Sequence, residues 1–175
     1  MSFEIRPVTN ADCVEVVRIV RAVYDEYGFS WDESDYHADL YDLEGHFTSR
    51  GDHFWIAEDE TGGLGVVGLC FYDQLKGEPG EALEIDGKVR AAGTDCSLER
   101  LYVHPSARRR GIGAALTELV VGTAKKENRK AMELWSDKRF GDAHRLYGRF
   151  GAQTIGERIC HDPDQSPEWG LVIKL

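Results

Sequence analysis

One segment constrains this chain more than any other. Residues 97 to 128 run from an alternating strand pattern, through a basic loop, into a long helix with an apolar stripe. Ser97 to Val103 is the strand, His104 to Arg110 the loop and Gly111 to Asn128 the helix, with Ile112, Ala115, Leu116, Leu119, Val120 and Ala124 on its buried face. The junction reads Arg108-Arg109-Arg110-Gly111-Ile112-Gly113-Ala114. The first N–H groups of a helix have no partner within it, and the helix dipole adds partial positive charge at that end. Glycine at 111 and 113 lets an anion approach the backbone, and three arginines stand beside it. The whole chain carries a formal net charge of -10, so this basic cluster is a local exception.

Two familiar phosphate motifs do not fit. A P-loop ends in Gly-Lys-Ser/Thr, whereas Gly113 is followed by Ala114-Ala115. A dinucleotide fingerprint needs a third glycine at position 116, where this chain has Leu116, and a tighter strand-to-helix turn than 103 to 111. The pattern that remains is Arg/Gln-x-x-Gly-x-Gly/Ala, after a strand ending in valine and a proline-containing loop. The acidic balance argues against a general nucleic-acid binder, which needs a basic surface. With 175 residues the chain suits one domain, 1–175. Cys13, Cys70, Cys96 and Cys160 are far apart and lack zinc-ligand spacing, so they read as reduced thiols and no metal is expected. No signal-peptide h-region and no membrane-length apolar run are present, so a cytoplasmic protein without membrane contact is expected.

Elsewhere the pattern alternates strand and helix. Phe3 to Pro7 reads as a strand, and Thr9 with Asp12 as a helix start. Cys13, Val16, Val17, Val20, Tyr24 and Tyr27 make a helical face that Gly28 ends. Ser30 to Phe47 is acidic and aromatic, a loop leading into a helix near Asp35 to Phe47. His53 to Glu58 and Val66 to Tyr72 form a hairpin across a Thr61-Gly62-Gly63 turn. A small insertion hairpin over about 76–93 turns at Asp86-Gly87. Ala131 to Ser136 is a strand, Asp142 to Phe150 a helix capped by Gly151, and Gln153 to Ile159 and Trp169 to Lys174 are the closing strands. This order implies an α/β layered domain.

Two motifs together carry a family likeness. Leu101-Tyr102-Val103-His104-Pro105, then Arg108 to Ala114, and further on Ala143-His144-Arg145-Leu146-Tyr147-Gly148-Arg149-Phe150-Gly151, resemble the GNAT superfamily of acyl-CoA-dependent N-acetyltransferases. The resemblance implies a central, mostly antiparallel mixed sheet of about seven strands, splayed between its fourth and fifth, with about four flanking helices. It implies that the backbone of Leu101, Tyr102 and Val103 pairs with the pantetheine arm of acetyl-CoA. It implies that Arg108, Arg109, Arg110, Gly111, Ile112, Gly113 and Ala114 bind the pyrophosphate. Tyr147 matches the family tyrosine that lies beside the thioester sulfur and can protonate the departing thiolate. Two positions depart from the pattern: Phe140 replaces a frequent asparagine, for which Asp137 or Ser136 could substitute, and Ala152 replaces a phenylalanine.

Transfer to an amine needs a base, because only the neutral amine attacks a thioester. On strand alternation Ser97, Glu99, Leu101 and Val103 share a face. Glu99 resembles a glutamate proposed as base in polyamine-acetylating members; the competing reading pairs it with Arg6 or with Arg100 of a neighbour. His144 is a weaker candidate. The acidic-aromatic stretch Tyr27 to Tyr41 corresponds in order to the family's acceptor wall, where carboxylates and rings would favour a cationic amine. The expected activity is acetyl transfer to a primary amine of a small molecule. The alternatives are an acyl-CoA-binding sensor module and an acetyltransferase acting on protein or peptide amines. The closing strands offer an edge for a homodimer.

Overall fold

The computed structural model describes residues 2–175. In chain order the elements are β1 (Glu4–Pro7), α1 (Cys13–Tyr27), α2 (Leu43–His46), β2 (His53–Asp59), β3 (Gly62–Phe71), β4 (Ala82–Ile85), β5 (Lys88–Ala91), β6 (Cys96–Val103), α3 (Ile112–Lys126), β7 (Ala131–Asp137), α4 (Gly141–Arg149), β8 (Gln153–Ile159) and β9 (Pro167–Lys174). Seven strands form one mixed sheet in the order β1-β2-β3-β6-β7-β9-β8, and β4 with β5 forms a separate hairpin. The sequence-based expectation of an α/β fold with about seven strands and four helices holds. β6 and β7 pair in parallel through Cys96 with Met132 and Ser97 with Glu133, a short register at the place where a splay is expected. Among the described residues no helix is long and apolar enough to cross a membrane.

The chain divides into two compact units, Met1–Cys70 with Glu99–Val120, and Phe71–Leu98 with Val121–Leu175. In the first, α1 buries Val16, Ile19, Val20, Val23 and Tyr24. Each such aliphatic burial is worth roughly 1.5–3 kcal/mol. The buried stripe is turned from the expected one: Ile19 and Val23 are inside, while Tyr27 is exposed. The spacing 16, 19, 20, 23, 24 follows the helix period and leaves Tyr27 on its rim. Gly28 ends the helix in the left-handed conformation, φ 68°. β1, β2 and β3 pair antiparallel. Gly62 and Gly63 already belong to β3, so the β2–β3 turn is tighter than the sequence suggests.

The helix expected near Asp35 to Phe47 is absent as one element. The chain instead makes a 3-10 turn at Ala38–Tyr41, the single turn α2 and another 3-10 turn at Thr48–Arg50. Hydrogen bonds from distant residues divide it: Asn10 donates to Asp42 at 2.9 Å and accepts from Glu44 N at 2.9 Å. Leu40, Leu43 and Phe47 nevertheless enter the core beside Phe54 and Ile56.

In the second unit β7 and β8 pair antiparallel with β9. The hairpin at 82–91 forms as expected, with Asp86 at φ 51° and Gly87 at φ 76°, the two left-handed residues of a primed turn. Its root is tied to β7 by the buried Glu133, which accepts from Arg90 Nε at 2.6 Å, Ala91 N at 2.7 Å, Tyr72 OH at 3.0 Å and Trp135 Nε1 at 2.9 Å. The four cysteines are free thiols.

Candidate active site

In the first unit β6 leads into α3 through a 3-10 turn at Pro105–Ala107. Ala107 and Ile112 are buried and anchor the two ends of the basic loop. Between them Arg109 at φ 64° and Gly111 at φ 82° both take left-handed conformations and turn the chain sharply. The first bond of the helical ladder runs from Ala115 N to Gly111 O at 3.0 Å. The N–H groups of Ile112, Gly113 and Ala114 therefore lie ahead of the ladder. A Cβ on Gly111 would meet no atom within 4 Å, so the approach to this turn is open. This is an open start of a 15-residue helix that suits an anion.

The three arginines are not equivalent. Arg108 donates to both carboxylate oxygens of Glu26, and that pair is partly exposed. Arg110 donates to Asp59 at 2.7 Å, on a carboxylate side chain that is only 3% exposed. Hydrogen bonding from Arg110, then from Thr61, holds the Asp59 carboxyl down to about 2. Arg109 is exposed. The local triplet thus resolves into one exposed side chain and two engaged ones.

Leu101, Tyr102 and Val103 are half-buried. The Tyr102 carbonyl oxygen lies 3.0 Å from where a Cβ on Gly65 would be, a close approach that glycine permits. Glu99 is exposed. Burial, and then the neighbouring Glu99, Asp52 and Asp39 charges, push the Cys70 thiol up. Arg100 interrupts the expected alternation, because it takes φ 51° inside β6. The inference that Ser97, Glu99, Leu101 and Val103 share one face is therefore not supported by a regular strand: Ser97 is buried and Glu99 is not. Arg6 pairs with Asp12 and Glu58, and Arg100 with Asp39.

Sequence reasoning missed the bond of Arg100 to Asp39 and the burial of His37. Arg100 Nε and Nη2 donate to Asp39 at 2.9 and 2.8 Å, and Nη2 also donates to the Tyr36 carbonyl at 2.6 Å. Its guanidinium stands 4.8 Å over the Tyr36 ring. Burial opposes its charge most strongly, but Asp39, Tyr102 and Tyr36 together outweigh it and the net shift is upward. His37 is fully buried, stacked on Trp31 at 3.9 Å and edge-on to Tyr24 and Tyr36. Its Nδ1 lies 3.1 Å from both the N–H and the carbonyl oxygen of Asp32, and Nε2 has no hydrogen-bond partner among the described residues. Burial, with help from Arg100, pushes its pKa down to about 4. Neither residue has a local signal, since Asp39 and Arg100 are 61 positions apart.

In the second unit Tyr147 is buried on α4 beside Leu146. Its carbonyl accepts from Phe150 N at 2.9 Å and Ala152 N at 3.1 Å, while Gly151, at φ 82°, closes the helix as expected. His144 Nε2 lies 3.0 Å from Ser136 Oγ, and burial lowers its pKa. Asp137 accepts from Arg139 N, Nε and Nη2 at 2.8, 2.9 and 2.6 Å. Both residues suggested as stand-ins for the missing asparagine are thus already engaged. Phe140 occupies the N-cap of α4.

A family model described as acetyltransferase (GNAT) family matches residues 17–152. The chain belongs to that family. This GNAT acetyltransferase is an acyltransferase enzyme, and solved structures agree on its fold. It is similar to a GNAT-family acetyltransferase from Staphylococcus aureus Mu50, at 20% identity over 99% of both chains with a TM-score of 0.76. A ribosomal-protein-alanine N-acetyltransferase from Brucella melitensis is similar at 17% identity, over 98% of this chain and 99% of that one, with a TM-score of 0.69. A GNAT-superfamily phosphinothricin acetyltransferase from Sinorhizobium meliloti, in complex with acetyl-CoA, is similar at 18% identity, over 100% and 89% of the two chains, with a TM-score of 0.68. A search of curated proteins finds no sequence match. Within the GNAT acetyltransferase, Arg108 to Ala114 and Tyr147 both fall inside the matched residues.

Proposed function

We propose that this enzyme transfers the acetyl group of acetyl-CoA to a primary amine of a small molecule, by direct attack, as one N-acetyltransferase domain over 1–175. The observation that carries the reading is the open left-handed turn at Gly111, with the N–H groups of Ile112, Gly113 and Ala114 ahead of the α3 ladder. These groups, with Gly111 and Arg109, would hold the pyrophosphate. Arg108 would join them by exchanging Glu26 for phosphate, whereas Arg110 would brace the loop through Asp59. The backbone of Leu101, Tyr102 and Val103 would receive the pantetheine arm.

In the reaction the amine nitrogen loses a proton to Glu99, directly or through water, and attacks the thioester carbonyl carbon. The carbon–sulfur bond breaks, the thiolate takes a proton from Tyr147, and the second proton shed by the attacking nitrogen passes to solvent, from which Tyr147 is reprotonated. The exposed position of Glu99 supports its access to solvent and amine. The buried position of Tyr147 supports a role in a water-poor setting. Free thiols at all four cysteines suit a cytoplasmic enzyme. A homodimer would use β8, the outer strand of the sheet.

The test is a thiol-release screen over polyamines, amino acids, aminoglycosides and peptide N-termini. Release with small amines, lost in Tyr147→Phe and shifted in pH profile in Glu99→Gln, is the expected result. Release with peptides alone would replace the acceptor class. Acetyl-CoA binding without amine-dependent release would make the domain a sensor.

A further inference from the structure

Arg100 stands out among the charged residues of the first unit. It is left-handed inside a strand, with φ 51°, and its side chain is only 12% exposed. A non-glycine residue keeps such a conformation only where its surroundings over-determine it. Here they do: two bonds to Asp39, one to the Tyr36 carbonyl, and the Tyr36 ring beneath the guanidinium. The planar fork of arginine matches this bidentate arrangement, which lysine cannot reproduce. Asp39 and Tyr36 belong to the acidic-aromatic stretch, and Glu99 is the residue next to Arg100 in β6. The segment is further tied at His37, whose N–H donates to the Asp32 carbonyl at 2.8 Å and whose ring stacks on Trp31.

We propose that Arg100 is a positioning residue for the acceptor: its contacts with Asp39 and the Tyr36 carbonyl hold residues 31–39 against the distorted turn of β6 beside Glu99. The inference rests on the reading above, in which Glu99 is the base and this stretch receives the amine. It also changes the chemistry of that stretch. Asp39 is committed to an internal arginine and does not recognise a cationic acceptor, which leaves the exposed Glu33 and Asp35 for that purpose.

Three measurements on the full chain test this. The variants are Arg100→Lys and the double change Arg100→Met with Asp39→Leu. The double change removes both charges, so no buried carboxylate is stranded. Hydrogen–deuterium exchange over residues 31–41 reads the clamp, calorimetry reads acetyl-CoA affinity, and steady-state kinetics read KM and kcat for the best amine. In the double variant exchange over 31–41 and the amine KM each rise about tenfold or more, while the acetyl-CoA Kd stays within about twofold. Arg100→Lys falls between it and the wild type. Unchanged exchange in both variants overturns the clamp and leaves the functional reading intact. A loss confined to kcat, with amine KM unchanged, overturns the positioning role. A wild type that binds acetyl-CoA but releases no thiol with any amine overturns the functional reading and with it the acceptor role, while exchange still decides whether the clamp exists.

Discussion

Replacing Gly111 with alanine separates the cost of a backbone conformation from the cost of blocking a ligand. Gly111 has φ 82°, and an added Cβ meets nothing within 4 Å. In the free protein the methyl group therefore introduces no clash, and the only penalty is the left-handed conformation of an L-residue, roughly 1–2 kcal/mol. For a chain of this size that lowers Tm by about 2–8 °C. On the proposed binding mode the bound state would differ, because the methyl group would occupy the space through which a phosphate would reach the N–H groups of α3. Losing one such bond to a charged group costs about 1.5–3 kcal/mol, or about 10- to 140-fold in Kd. Gly28 supplies the control: it has φ 68°, its added Cβ also meets nothing within 4 Å, and it ends α1. Gly28→Ala should match the Tm loss and leave acetyl-CoA affinity unchanged. Thermal denaturation and isothermal calorimetry with acetyl-CoA on both variants give the four numbers. A Gly111→Ala protein that binds acetyl-CoA as tightly as the wild type, or a Gly28→Ala protein that weakens by the same factor, would falsify the reasoning.

Other expectations concern buried charge. The Asp59 carboxyl is held at about 2 by Arg110, below its ordinary 3.8, so the pair stabilises the fold fully above about pH 4 and stops doing so as pH falls through 2. Asp59→Asn should melt below the wild type at pH 7, with the gap closing between pH 4 and 2. His37 is neutral in the fold down to about pH 4, while the unfolded chain takes up a proton near 6.5. Stability should therefore fall by about 3 kcal/mol between pH 6.5 and 4, and His37→Phe should flatten that part of a urea-denaturation profile. Glu133→Gln strands Arg90 and breaks a four-donor arrangement, so chemical denaturation should record a loss of about 3–5 kcal/mol.

The parts of the fold that were legible from sequence are those whose pattern is local. α3 shows its stripe from Ile112 to Ala124, and Asp86-Gly87 announces its own turn through residues that tolerate positive φ. Residues 30–47 were not legible, because their structure depends on partners elsewhere: Asn10 for Asp42, and Arg100 for Asp39. The same limit applies to the basic triplet. Three adjacent arginines look alike in sequence, yet Glu26, 82 positions from Arg108, and Asp59, 51 from Arg110, decide which of them are already engaged. Alternation placed Glu99 on a face with Ser97, and the left-handed Arg100 between them and the rest of β6 removed the regularity on which that depended. The open turn at Gly111 was legible because glycine spacing and helix start are neighbours along the chain.

The β4–β5 hairpin has a practical consequence for protein engineering. Its root is locked by Glu133 through Arg90 and the Ala91 N–H, while Asp86 and Gly87 at its tip are exposed. A short peptide spliced between those two residues would hang from a fixed stem rather than loosen the sheet. The tip is thus the natural point for an affinity handle, a fluorophore or a surface tether.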